Sequence, residues 1–368
     1  MRRLSIRMFV HSLRSDWNNG NAHFLRGLCR GLVSLGHDVR CYEPDDGWSY
    51  QNLLTEDKGA ASLRQFDTCY PELDLRLYRV EEDLVDQLTE ELRGADIVVV
   101  HEWNSPQVAA AILSLRDRLG FRMLFHDTHH RASSSRSEIQ RLRVEEFDGV
   151  LAFGDALRRI YVDQLGISRT WTLHEAADTT LFRPLASTKK LDCVWIGNWG
   201  DDERTRELHE FLICPARVLH PIRFHVHGVR YPEDAIRAVS SAGISYRGYL
   251  PNLSAPSVYA ESLLTLHIPR RQYAESLPGI PTIRVFEALA CGIPLLCSPW
   301  SDCEGLFEPD TFWIAEDGKR MTAMISELLR DDAARQQLAQ SGLACVLRGH
   351  TCLHRAEQLT SICEEVLQ

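Results

Sequence analysis

The chain has 368 residues, 44% hydrophobic and 25% charged, a length and composition suited to two globular domains, each with a substantial core. Its net charge of −10, with Lys and Arg dispersed throughout, leaves no basic stripe and argues against nucleic acid as a partner. Eleven scattered cysteines without a Cys-x-x-Cys motif read as buried reduced thiols, and His350, Cys352 and His354 of "HTCLHR" alternate around a helix and read as structural.

The opening "MRRLSIRMFV" begins basic, but Arg7 interrupts an apolar run already too short for a signal-peptide core or a membrane span. A soluble, cytoplasmic protein is expected. Apolar β-type runs then alternate with amphipathic stretches: "LSIRMFV", "ADIVVVHE", "RMLFHDT" and "GVLAFG" in the first half. Such alternation predicts repeated βα units on a parallel sheet. The loop at 11–20 ends in Gly20, which permits close backbone approach, and the following helix places His23 in its first turn. His23 reads equally as a packing or capping residue and as a site residue. His101 and Glu102 close one strand, and His126, Asp127, His129 and His130 close the next. Histidines at successive strand ends suit proton transfer or hydrogen bonding to a polyhydroxylated substrate better than a metal, since no Cys joins them.

A polar segment at 178–190 marks the expected boundary, with one doubly wound domain over 1–185 and another over 186–368. The second series runs "LDCVWIGNW", "RFHVHG", "LLTLHIP" and "IPLLCSP", and beyond Asp317 the pattern is helical to the end, with part of that tail able to pack back on the first domain. Ligands of open parallel sheets sit beyond the carboxyl ends of the strands, so a cleft between the two domains is the expected site.

Three strand-end loops of the second domain carry cations. Asn198 and Arg204 follow one strand, Arg270 and Arg271 another, and Gly279-Ile280-Pro281-Thr282 leads into a helix bearing Arg284 and Glu287, which Gly292 closes. Thr282 or a neighbour is expected to cap that helix. Free backbone N–H groups at its start offer a place for phosphate, and guanidinium forks match phosphate geometry. Arg284 and Glu287 read either as a solvated ion pair or as site residues, the carboxylate accepting from a ribose diol. No Asp-x-Asp follows a strand, so no metal is implied.

"TIRVFEALACGIPLLCSPWSDCEGLFEPD" and, less closely, "WNNGNAHFLRGLCRGLVSLGHDV" resemble the GT-B glycosyltransferases, family 1/4-like, and among them the CgeB/YkvP-like group. The resemblance implies an α/β protein of two Rossmann-like domains with a helical tail, the second domain binding a nucleotide-diphosphate sugar and the first a hydroxylated acceptor. Glu287 matches the acid that holds the ribose, the preceding loop the one that touches the diphosphate, and Arg204 a basic phosphate ligand. Typical retaining members carry a second Glu eight residues before the ribose acid, where this chain has Gly279. Either Glu275 reaches that place through a longer loop, or backbone groups of Gly279 and Ile280 replace it.

The resulting expectation is a metal-independent transferase without cofactor. In its retaining form the diphosphate, held by Arg204, Arg270 and the helix start, takes the acceptor proton while His129 and Asp127 hold hydroxyls. The alternatives are an inverting enzyme with His23 as base, a sugar-nucleotide epimerase or hydrolase, and a non-catalytic binding protein of the same fold.

Overall fold

Short, mostly apolar runs, separated by helices, build two parallel sheets in the computed structural model, which describes residues 2–368. The first holds β1 (Ser5–Phe9), β2 (Asp38–Pro44), β3 (Asp74–Tyr78), β4 (Ile97–His101), β5 (Arg122–Asp127), β6 (Gly149–Ala152) and β7 (Thr170–Thr172). They pair in the order β3-β2-β1-β4-β5-β6-β7, all parallel. The centre is covered on both faces, since every residue of β4 is buried, as parallel strands between helical layers require.

The second sheet holds β8 (Leu191–Ile196), β9 (Phe224–His227), β10 (Ser245–Tyr246), β11 (Ser262–His267), β12 (Leu295–Cys297) and β13 (Trp313–Ile314), again parallel, in the order β10-β9-β8-β11-β12-β13. Period-two alternation sends Cys193 and Trp195 of β8 into one core with Leu208, Phe211, Leu264 and Ile325. Val194 and Ile196 point the other way, into a core with Val285, Phe286 and Leu289. Both sheets reverse their strand order beside the first strand, which opens a crevice at each carboxyl edge, beyond β1 and β4 and beyond β8 and β11.

The chain divides into two compact units, one running to Glu175 and taking in Cys352–Gln368, the other Ala176–Thr351. The division therefore falls at Glu175 rather than at residue 185, and the last helix, Cys352–Val366, belongs with the first unit rather than with 186–368. Its docking has local causes. Gly31 leaves room for it on the Ala22–Ser34 helix, where an added Cβ would stand 2.7 Å from Ala356 Cβ and 3.1 Å from the Cys352 carbonyl. His37 receives the Leu4 N–H at Nδ1, 3.1 Å away, and meets the Thr360 hydroxyl at Nε2, 3.0 Å away. The two preceding tail helices, Gly318–Arg330 and Asp332–Gly349, start on the caps Asp317 and Asp331, whose carboxylates accept from the N–H groups of Arg320 and Ala334 at 2.7 and 2.9 Å. Among the described residues no helix is long and apolar enough to cross a membrane.

Candidate functional site

At the carboxyl edge of the first sheet, register places His101 beside His126, so that His101-Glu102 and His126-Asp127 emerge side by side, all four buried. Thr128 ties them together. Its N–H donates to Glu102 Oε1 at 2.9 Å, and its hydroxyl lies 2.9 Å from His101 Nε2 and receives Asn21 Nδ2 at 2.6 Å. Asn21 stands at the start of the Ala22–Ser34 helix, so the helix that carries His23 is anchored to the cluster. Asp127 accepts from the Tyr161 hydroxyl at 2.6 Å and from the His129 N–H at 3.0 Å. Arg131 Nε donates to Glu102 Oε2 at 3.1 Å while its guanidinium lies 3.9 Å from the centre of the Trp103 ring. The His129 and Trp103 rings make a T-shaped contact with centres 5.1 Å apart, and His130 Nδ1 lies 2.7 Å from the Ser134 hydroxyl.

Burial sets the charge state here. It is the largest influence on His11 and His126, whose pKa values fall to about 4, and on His101, held well below the ordinary imidazole range with His126 adding to the effect. Burial raises Asp127 to about 6 despite the hydrogen bonds from Tyr161 and His129. Glu102 is also raised, by burial and then by the Asp127 carboxyl, with Arg131 opposing. Asp127 is thus a brace for the His129 backbone, not a carboxylate presented to substrate hydroxyls, which corrects the expectation for that residue. His101, Glu102, His130 and His23 are likewise buried, whereas His129 is half-buried and Trp103 is 41% exposed. Gly20 is half-buried in the turn before the helix; the left-handed residue of that loop is Asn18, at φ 48°.

Residues that sequence reasoning missed hold the 11–20 loop. Arg26, 1% exposed, donates from Nε to the Leu13 carbonyl at 2.6 Å and from Nη2 to that of Arg14 at 3.1 Å, and pairs with Asp16 at 3.3 Å. Glu43, at the end of β2, accepts the N–H of Arg14 at 3.2 Å and pairs with its guanidinium. The available signal was an arginine on the apolar stripe of "HFLRGLCRGL" and an acid inside "CYEP". A charge in such a place needs a buried partner.

In the second unit the loop after β8 is pinned by Asn198, whose Oδ1 accepts the Val229 N–H at 2.8 Å. Arg204 crosses from this loop to the loop after β11: Nε donates to the Trp199 carbonyl at 3.3 Å, Nη1 to that of Ile268 at 3.0 Å, and Nη2 to that of Asn198. Its guanidinium also lies 5.2 Å from the Trp195 ring. Although the residue keeps some surface, desolvation lowers its pKa to about 10, and the charge of Arg270 adds to this, with Tyr231 and Glu203 opposing. Three of Arg204's five N–H groups are committed to backbone, so it is first a brace and not simply a phosphate ligand, a second correction. Arg270 pairs with Glu203, and Arg271 with Glu207 at 3.2 Å.

Glu287 is fully buried, paired with Arg284 and accepting from Asn252 Nδ2 at 2.7 Å. The solvated i,i+3 pair is therefore ruled out; the carboxylate orients Arg284 and Asn252 from beneath. Thr282 takes the extended cap conformation, φ −84° and ψ 162°, but its side chain caps no helix N–H. Its hydroxyl instead lies 3.1 Å from His267 Nε2, a further correction. The carbonyl of buried Ile280 receives Trp300 Nε1 at 3.1 Å. Gly279 is left-handed at φ 89°, and a Cβ there would meet Cys303 Sγ at 2.7 Å and Glu304 Cγ at 2.9 Å, with Glu304 Oε1 3.3 Å away. The acid beside Gly279 is Glu304. Glu275 is exposed instead and lines a cavity of about 570 Å³ at the ends of β11 and β12, with Arg206, Glu207, Arg271 and Trp300. Among the described residues no group of three or more His, Cys, Asp and Glu side chains is arranged to hold a metal ion.

Two family models match. The first unit matches "glycosyl transferase 4-like domain" over residues 19–174, and "glycosyl transferase-like" matches residues 204–361. No curated protein matches the sequence significantly. Solved structures share the fold across nearly the whole chain. Sucrose-phosphate synthase from Thermosynechococcus elongatus superposes with a TM-score of 0.67 at 15% identity, covering 99% of both chains. Anabaena HepE in complex with UDP and glucose gives 0.69 at 12%, covering 98% of this chain and 99% of its own. T4 phage BGT in complex with its UDP-glucose substrate gives 0.60 at 10%, covering 99% and 100%.

Proposed function

We propose, from the premise that this chain is a glycosyltransferase of the GT-B fold, that it moves a sugar from a nucleotide-diphosphate sugar to a hydroxylated acceptor, without a metal and with retention. The observation that carries the reading is that Arg204 ties the loop after β8 to the loop after β11 that carries Arg270, while Arg284 stands in the first turn of the Ile283–Ala290 helix. A departing diphosphate needs its developing negative charge met by preorganised donors, and guanidiniums and helix N–H groups supply them. Arg270 and Arg284 are the proposed diphosphate ligands, with Arg204 holding the loops that aim them. UDP-sugar complexes of HepE and of the phage enzyme, which share this fold, support a nucleotide sugar as donor.

In the proposed step the bond from the sugar's anomeric carbon to the diphosphate oxygen breaks. The acceptor oxygen bonds to that carbon on the same face, and its proton passes to the diphosphate. No enzymic base is required. The complete burial of His23 and its place in a packed helix favour this course over an inverting one that needs His23 at the acceptor hydroxyl. The narrower CgeB/YkvP-like kinship rests on the resemblance of "RVFEALACGIPL". The test is product configuration by NMR after reaction with a panel of nucleotide sugars in excess EDTA. Retained linkage formed in chelator is expected. An inverted linkage, with His23→Ala losing the roughly 10²- to 10⁴-fold typical of a removed base, would overturn it.

A further inference from the structure

Of the chain's eight tryptophans, two are exposed, and both stand at the carboxyl edge of the first sheet. Trp48, after β2, is 56% exposed, and Trp103, after β4, is 41% exposed. A single exposed apolar residue needs no explanation, but two indoles on neighbouring loops of one sheet edge make a candidate contact surface. Both are held in place rather than loose. Trp48 sits edge-on against Trp17 with ring centres 4.9 Å apart, and Trp17 Nε1 donates to Glu56 at 2.8 Å. Trp103 is backed by the Arg131 guanidinium at 3.9 Å and meets His129 in a T-shaped contact.

The two flank one strand. β2 and β4 both pair with β1, so the loops that carry the indoles are separated by two strand spacings, roughly 10 Å. His11, just past β1, lies between them: its ring centre is 6.3 Å from that of Trp103, and its carbonyl would be 3.2 Å from a Cβ on Gly47, the residue before Trp48. Around them stand planar polar groups, not an apolar field. Arg14, paired with Glu43, lies 4.1 Å from the centre of the Tyr50 ring, and Arg131 pairs with both Glu102 and Glu138.

We infer that Trp48 and Trp103 form a two-indole platform for a saccharide acceptor, each indole stacking on the C–H face of one sugar ring. The inference deepens the proposed function by naming the acceptor class. A pyranose is apolar on its faces and polar around its rim, which asks for rigid aromatic surface bordered by hydrogen-bonding side chains. A lipid tail asks for a continuous apolar patch, and half-buried His11 between the two indoles, with half-buried Arg14 and Arg131 beside them, denies it one. Separate platforms set apart by two strand spacings suit alternate rings of one oligosaccharide better than a single small alcohol.

The experiment is titration calorimetry of the full chain with glucose-, mannose-, galactose- and N-acetylglucosamine-based mono- to tetrasaccharides, without donor. Affinity that rises from mono- to trisaccharide is expected for at least one series. Trp48→Ala and Trp103→Ala should each weaken it roughly 3- to 10-fold, with partial recovery in Trp48→Phe and Trp103→Phe. Val218→Ala, at a site 71% exposed in the other unit, should bind as wild type. Melting curves confirm that the variants fold; if an alanine variant does not, the phenylalanine variants carry the comparison through a smaller loss. Absence of binding in every series, or binding indifferent to the substitutions, would overturn the platform. Donor binding is measured in a separate titration, so a failed donor sinks the proposed reaction and an unbound oligosaccharide sinks the platform.

Discussion

At the carboxyl edge of the first sheet, burial drives the titratable groups toward neutrality: His11, His101 and His126 are lowered and Asp127 and Glu102 raised. At the equivalent edge of the second, Arg204 donates to backbone carbonyls, and Arg270, Arg271 and Arg284 pair with Glu203, Glu207 and Glu287. The strand order is the same from the third strand through the first to the sixth. The comparison teaches that topology supplies the crevice and that strand-end residues alone decide whether it is lined by buried histidines and carboxyls or by paired guanidiniums.

The largest expected break in that contrast is Arg204→Ala. It strips donors from the carbonyls of Trp199, Ile268 and Asn198 and frees the loops that aim the other guanidiniums. A fall of roughly 10²-fold in kcat/KM is expected, since misplacement by about 1 Å suffices for that, with a lower Tm. Arg204→Lys should recover little, because an ammonium cannot fork to three carbonyls. Wild-type kinetics in either variant would remove Arg204 from the account.

A second effect belongs to the first edge. His126 is fully buried, no hydrogen bond from the described residues reaches either ring nitrogen, and its ring makes a T-shaped contact with Phe24. Its folded pKa near 4 lies below the unfolded value near 6.5, so between these the unfolded chain binds more protons. Stability is then full above pH 6.5 and falls as pH drops toward 4. Asp127, raised to about 6, contributes the opposite slope in part of that window and offsets some of it. His126→Phe should remove one histidine's share, on the order of 2–3 kcal/mol at pH 4, and extend the folded range toward acid. Denaturant melts at pH 4.5 and 7 check this; equal gains at both pH values would contradict the assignment.

How much of this was legible in the sequence divides by range of interaction. The runs "ADIVVVHE", "RMLFHDT" and "LDCVWIGNW" announce β4, β5 and β8 because buried parallel strands are continuously apolar. The edge strands β3, β7, β10 and β13 escaped notice, β3 being mostly exposed and the others only two or three residues long. The arginine loops were visible as residue types following strands. What those side chains do was not, because Arg204 reaches Ile268 and Arg270 reaches Glu203 across more than sixty positions, and only folding reveals the partner. Asp127 misled for the same reason: a carboxylate after a strand reads as exposed until Tyr161 is seen to hold it.

The smallest expected effect sharpens the second edge. Glu203 occupies Arg270 in this structure, so an incoming diphosphate competes with it. Glu203→Gln should tighten nucleoside diphosphate binding by about 3-fold, for a part-exposed pair worth under ~1 kcal/mol. Unchanged or weaker affinity would show that Arg270 does not meet the ligand.

The most direct measurement is calorimetric titration of nucleoside diphosphates, UDP first, into wild-type protein and Arg270→Ala in excess EDTA. Binding in chelator by wild type, weakened about tenfold or more in a folded Arg270→Ala as loss of a charge-assisted contact implies, is the predicted result. Affinity that appears only with magnesium or manganese, or that survives Arg270→Ala intact, would contradict a donor site built from the arginines of the second sheet.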